Sequence, residues 1–126
     1  MLNQSLSQKL KEKYPQYALK KQCFRNVYGL CTIPELPLCQ ISIVFCYLPV
    51  GTDRLFFRHA VLKYHGQYID TVLDIPEKYE HIIVIREFSF QEYMDAVIAE
   101  GSFELRSFLR LAEQNLIQTY RLEIVP

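Results

Sequence analysis

Residues 56–72 read FFRHAVLKYHGQYIDTV. Two runs rich in β-branched and aromatic residues flank the pair His65-Gly66, a two-residue spacer whose Gly tolerates positive φ. The pattern predicts a tight hairpin with strands over 56–64 and 67–73. With the turn at 65–66, Tyr64 faces Gln67, Lys63 faces Tyr68 and Leu62 faces Ile69. Continued further, Val61 faces Asp70, Ala60 faces Thr71 and His59 faces Val72. Side chains alternate across a strand, so His59, Val61, Asp70 and Val72 share one face. His59 and Asp70 become diagonal neighbours, roughly 7–8 Å apart at Cα. A slip of one residue would send them to opposite faces.

Working outward, Ile41–Leu48 is a β-branched and aromatic run ended by Pro49 and Gly51, and is read as a buried strand. His81–Phe88 and Tyr120–Val125 are read as two further strands. Leu2, Leu6 and Leu10 recur every four residues among lysines, which predicts an amphipathic helix over 3–13 stopped by Pro15. A second short helix is expected over 23–31, with Gln22 a poor N-cap. Pro34 and Pro37 make the next segment a loop. Ser89 and Glu92 form a capping box that opens a helix over 90–99, closed by Gly101. Ser102 is expected to cap another helix running to about Asn115. Helices, then mostly antiparallel strands on short turns, then helices make an α+β fold. The 126 residues suit a single domain over 1–126, since ~150 residues per domain is usual.

Composition removes several function classes. Fourteen Lys and Arg balance fourteen Asp and Glu, half the residues are hydrophobic and 22% are charged. A largely disordered chain is excluded. No net positive charge is present to displace counterions from phosphates, so no nucleic-acid partner is expected. The longest apolar stretch falls far short of the ~18 residues of a membrane helix, so no membrane association is expected either. The start Met1-Leu-Asn-Gln-Ser lacks a basic-then-apolar export signal, which points to the cytoplasm. Delivery as an effector stays open. Cys23, Cys31, Cys39 and Cys46 contain no C-x2-C pair and are expected to be free thiols, mostly buried as small apolar residues.

Cys23 has the surroundings that favour a thiolate. It stands at the N-terminal end of the proposed helix, where unpaired N–H groups and the helix dipole stabilise negative charge, and Lys20 and Lys21 precede it. The hairpin supplies His59 and Asp70, and a carboxylate beside an imidazole fixes its tautomer and supports the imidazolium. Val61 and Val72 would keep water from the pair, and would equally suit a structural ion pair. His65 is read as solvated in the turn and His81 as a surface residue. The loops over 31–40 and 49–55 are expected to border a cleft. Arg54 and Arg58 are read as solvated surface charges, with contact to an acidic group as the other reading.

The words Cys23-Phe-Arg-Asn26, His59-Ala60-Val61 and Gly66-Gln67-Tyr68-Ile69-Asp70-Thr71 resemble the papain/transglutaminase-like superfamily of cysteine enzymes. Small bacterial and phage members often read C-x-x-N-A, then H-A-W, then G-x-x-I-D-P-T. The resemblance covers about residues 16–73. It implies a nucleophile helix packed on a mostly antiparallel sheet, with Cys23 as nucleophile, His59 as general base and Asp70 as orienting acid. Asn26 would be a supporting residue, and Gln16 a candidate oxyanion donor beside the backbone N–H of Cys23. Val61 replaces the usual Trp, Val27 the usual Ala, and no Pro follows Asp70. The implied chemistry is amide or thioester cleavage or acyl transfer, on a protein or peptide substrate, with no cofactor and no metal. The alternative is a catalytically inactive papain-like fold that binds a protein partner, with part of its nine Tyr and eight Phe as a contact patch. Zinc held by cysteines with His59 or His65 is a third reading.

Overall fold

Strand β1 (Ile41–Pro49) lies at the centre of an antiparallel arrangement, between β2 (Leu55–Tyr64) and β4 (Ile83–Ser89). The computed structural model describes residues 1–51, 54–72 and 75–126. Strand β3 (Gln67–Ile69) pairs with the end of β2 through the expected hairpin, with Tyr64 opposite Gln67 and Leu62 opposite Ile69. His65 and Gly66 both adopt positive φ, as a two-residue turn of this kind requires. A fifth strand, β5 (Glu123–Ile124), runs parallel to the start of β2. The order is β3-β2-β1-β4, with β5 on the same edge of β2 as β3. Among the described residues, positions 57–61 of that edge have no strand partner, and His59 sits in this gap.

Alternation along the strands builds two cores. Ile43, Phe45, Ala60, Leu62 and Phe88 face a large core closed by helices α1 (Gln4–Lys13), α2 (Cys23–Leu30) and α3 (Phe90–Glu100). Val44, Cys46, Leu48 and Val61 face a smaller one, covered by Leu2, Tyr68 and Tyr79. The fold is α+β, as the sequence predicts. Local chemistry accounts for the helix ends. The Asn3 side chain caps α1 by accepting from Leu6 N, and Tyr14 and a 3-10 turn over Pro15–Tyr17 follow it. Ser89 and Glu92 cap α3 reciprocally, and Gly101 ends it in the left-handed region.

Four expectations are corrected. The helix expected from Ser102 starts only at Arg110. The Ser102 hydroxyl accepts from Glu104 N, and Leu105 takes φ 52°, outside the helical region. The Glu100 carboxylate accepts from Ser107 N and Phe108 N, folding the segment into turns. The last helix, α4, is Arg110–Tyr120, so Tyr120 is helical and the final strand is two residues long. The fourth strand starts at Ile83, because Pro76 opens a 3-10 turn over Pro76–His81. The third strand ends at Ile69. Its expected end at Leu73, and part of the loop over 49–55, lie outside the described residues. Among the described residues no helix is long and apolar enough to cross a membrane.

Candidate functional site

The site begins with how Cys23 is presented. Cys23 is the first residue of α2, and its N-cap Gln22 makes no side-chain cap. The first-turn N–H groups of a helix have no intrahelical partners and leave partial positive charge at this end, where Cys23 stands. The preceding loop is fixed from within the helix. The Asn26 side chain is buried, accepts from Leu19 N at 3.2 Å and donates to Leu19 O at 2.9 Å. This clamp holds Lys21 at φ 60°, a conformation a non-glycine residue keeps only when its surroundings impose it. Cys23 itself is half-buried.

His59 stands on β2 opposite Cys46, on the side of the smaller core. Its Nε2 donates to Asp70 Oδ2 at 2.7 Å, and both side chains are buried. The Phe57 ring packs edge-on to the imidazole at 5.5 Å between centroids. With Nε2 committed to Asp70, Nδ1 is the ring nitrogen left for the Cys23 thiol, which lines the same cavity as His59. Burial disfavours the charged ring, but the hydrogen bonds and negative charge supplied by Asp70 and Cys23 prevail and push His59 up to about 9.

Asp70 is held from several sides just beyond the end of β3. Its Oδ2 also accepts from the Tyr79 hydroxyl at 2.6 Å, and its Oδ1 from Val72 N at 2.9 Å. Its backbone N–H donates to the buried Ser7 hydroxyl at 3.0 Å. Burial works to raise the Asp70 carboxyl, yet the hydrogen bond and charge of His59, with Tyr79 and Val72, hold it below the ordinary carboxylate value. Next to it, Thr71 Oγ1 donates to Tyr17 O at 2.6 Å, tying this segment to the turn after α1.

Cys23 and His59 open onto a cavity of about 460 Å³, walled by Phe24, Phe57, Arg58, Val72, Val125 and Pro126 and edged by Lys21 and Arg106. Cys23, His59 and Asp70 are thus brought together, and Asn26 supports the approach to Cys23. Gln16 is not brought to them. It is exposed on the 3-10 turn and is not part of the cavity wall. The other cysteines are elsewhere: Cys39 is exposed, while Cys31 and Cys46 are buried and their thiols pushed up by that burial. His65 bonds Gln40 in the turn, and His81 is exposed. Among the described residues no group of three His, Cys, Asp or Glu side chains could hold a metal ion.

Arg58 departs from the solvated charge expected of it. Its side chain is 6% exposed and forms a two-point ion pair with Glu113, Nε to Oε1 at 2.8 Å and Nη2 to Oε2 at 3.1 Å. The guanidinium lies over the rings of Phe24 and Phe45, and Tyr47 donates to the same carboxylate at 2.7 Å. Arg54 is exposed and donates to Tyr120 O. Tyr79, Ser7 and the Arg58–Glu113 pair are the supports that sequence reasoning missed. No local pattern could have signalled them, because Ser7 and Glu113 lie 63 and 55 residues from their partners. No protein-family model matches the chain, and comparison with curated proteins and with solved structures gives no match.

Proposed function

We propose that the chain is a cysteine-nucleophile hydrolase or acyltransferase acting on an amide or thioester, of the papain/transglutaminase-like kind. The observation that carries this reading is the buried 2.7 Å bond between His59 and Asp70, with Cys23 lining the same cavity as His59. Nucleophile, base and orienting acid in contact form the arrangement that activates a weak nucleophile. In the proposed cycle His59 takes the Cys23 proton and the sulfur attacks the carbonyl carbon. The oxyanion is met by the backbone N–H of Cys23 at the uncapped start of α2. Imidazolium His59 returns its proton to the departing amine or thiol as the carbon–heteroatom bond breaks. Water or an amine then attacks the acyl-enzyme, giving its proton to His59, and Cys23 is released. Asp70 stays ionised throughout and keeps the ring in one orientation.

The test is alkylation of each cysteine by iodoacetamide from pH 5 to 9, read by peptide mass spectrometry. Exposed Cys39 serves as the internal reference thiol. At pH 6, where an ordinary thiol is mostly protonated, Cys23 should react at least tenfold faster than Cys39. His59→Gln and Asp70→Asn should each remove most of that advantage. A Cys23 that reacts no faster than Cys39 would sink the catalytic reading and leave the scaffold as a protein-binding module.

A further inference from the structure

The cavity at Cys23 lies between two other open cavities that share its walls. Toward one end it shares Lys21 and Phe24 with a cavity of about 320 Å³ that also takes in Arg25 and Glu104. Toward the other it shares Arg58, Arg106, Val125 and Pro126 with one of about 280 Å³ beside Arg110 and Glu113. The three form a continuous groove past the thiol. Its size suits several residues of an extended chain, and the largest part compares with a small-ligand site.

The charge of this groove departs from that of the protein. The chain is neutral, fourteen cations against fourteen anions. Among the described residues the groove holds five cationic side chains, Lys21, Arg25, Arg58, Arg106 and Arg110, and two carboxylates, Glu104 and Glu113. Both carboxylates are engaged by arginines, Glu104 by Arg106 at 3.2 Å and Glu113 by Arg58. Counted over Lys, Arg, Asp and Glu side chains alone, five less two leaves an excess of three cations. Lys21, Arg25 and Arg110 are exposed and form no salt bridge among the described residues. The middle cavity, with Phe24 and Phe57 in its walls, has no Asp or Glu side chain among its described lining residues. Like charges gathered along a low-dielectric cleft focus the field there and draw in ligands of opposite sign.

We infer that this groove binds an extended acidic peptide segment, with Glu or Asp side chains on the rim cations and an apolar residue between Phe24 and Phe57 at Cys23. The inference rests on the catalytic reading only in naming its substrate; the binding itself needs no thiol. A peptide is favoured over a nucleic acid because the apolar walls match side chains and the whole chain carries no net positive charge.

The test is fluorescence anisotropy with the full chain, as wild type and as Cys23→Ala. The probes are four fluorescein-labelled ten-residue strands. One peptide has four Glu around a central Phe, the second has Gln at those positions, the third has Lys, and the fourth strand is single-stranded DNA. The acidic peptide should bind at least tenfold tighter than the Gln peptide at 50 mM salt, and the gap should narrow several-fold at 300 mM. Arg106→Glu and Lys21→Glu should each weaken it several-fold, and Lys9→Glu, on exposed α1 surface, should not. Equal binding of the Gln peptide, no binding of any probe, indifference to both charge reversals, or tighter binding of the DNA would each overturn the inference. If Cys23 proves unreactive while the acidic peptide binds, the catalytic reading fails and the binding site stands. If Cys23 is reactive and the Gln peptide binds equally well, the reverse holds.

Discussion

His59 is bonded through one ring nitrogen to a carboxylate, both of them buried, and shares a cavity wall with the half-buried Cys23 thiol. Its folded-state value of about 9 lies above the ordinary 6.5, so the folded protein holds that proton more tightly than the unfolded chain. The resulting stabilisation is complete below pH 6.5 and is lost as pH rises from 6.5 through 9. Asp70 behaves oppositely. Its carboxyl is held below the ordinary value, so its contribution is present above about pH 4 and is lost on further acidification. Urea unfolding of the wild type should therefore weaken by up to about 3 kcal/mol between pH 6.5 and 9. Asp70→Asn removes the main cause of the His59 shift, so the same pH range should change its stability far less. Parallel pH profiles for the two proteins would show that the pair does not set the pH dependence. In the His59 ring resonances followed by NMR, Cys23→Ser should also lower the midpoint, because the thiol is the second group holding the imidazolium.

The element that delivers Cys23 is gripped at both ends. Asn26 clamps the loop before α2, and near its other end Gly29 lies directly against the Tyr17 ring, where a Cβ would overlap it. Gly29→Ala should thus destabilise by about 1–3 kcal/mol, although alanine is the better helix former by about 1 kcal/mol. Tyr17 also carries the Thr71 hydrogen bond beside Asp70, so displacing it disturbs both halves of the site, and Cys23 alkylation should slow as well. Adding Tyr17→Ala should make room for the methyl and recover part of the stability. An increase in melting temperature for Gly29→Ala alone would contradict this packing. Elements with strong local signals were readable in the sequence. The hairpin at His65-Gly66, the capping box at Ser89 and α2 from Cys23 stand where their residues placed them. The same hairpin spacing put Asp70 near His59, although β3 stops before Asp70 and the contact is made by side chains alone. What was not readable depended on distant partners. Glu100 folds residues 107 and 108 back in place of a helix from Ser102, and Tyr79 reaches Asp70 from a 3-10 turn that takes up His81, where the sequence places the start of the fourth strand.

Across the whole molecule, the C-terminal arm of α4 and β5 is attached unusually lightly. α4 has no buried residue, and β5 pairs over two residues only. The strongest tie is Glu113, which receives Arg58 at two points and Tyr47 at a third. Beyond the ion pair, Arg54 fixes the Tyr120 carbonyl and Val125 N donates to Phe56 O, so the arm ends as a wall of the Cys23 cavity. A buried ion pair adds little over well-packed apolar residues, but removing one partner strands the other charge and costs about 3–5 kcal/mol. Glu113→Ala leaves Arg58 in that position, against two aromatic rings and 6% exposed. The loss should be local before it is global, because the arm has few other contacts with which to stay bound. In hydrogen exchange, amides of 110–124 should lose protection in Glu113→Ala while the centres of β1 and β2 keep theirs. The double replacement Arg58→Met with Glu113→Leu removes both charges and should restore most of the protection. Uniform loss over the sheet and the arm in Glu113→Ala would mean that the ion pair stabilises the fold as one unit. Restoration by the double replacement, with the single change still loosening 110–124, would place the role of Glu113 in neutralising Arg58 and holding the wall of the cleft.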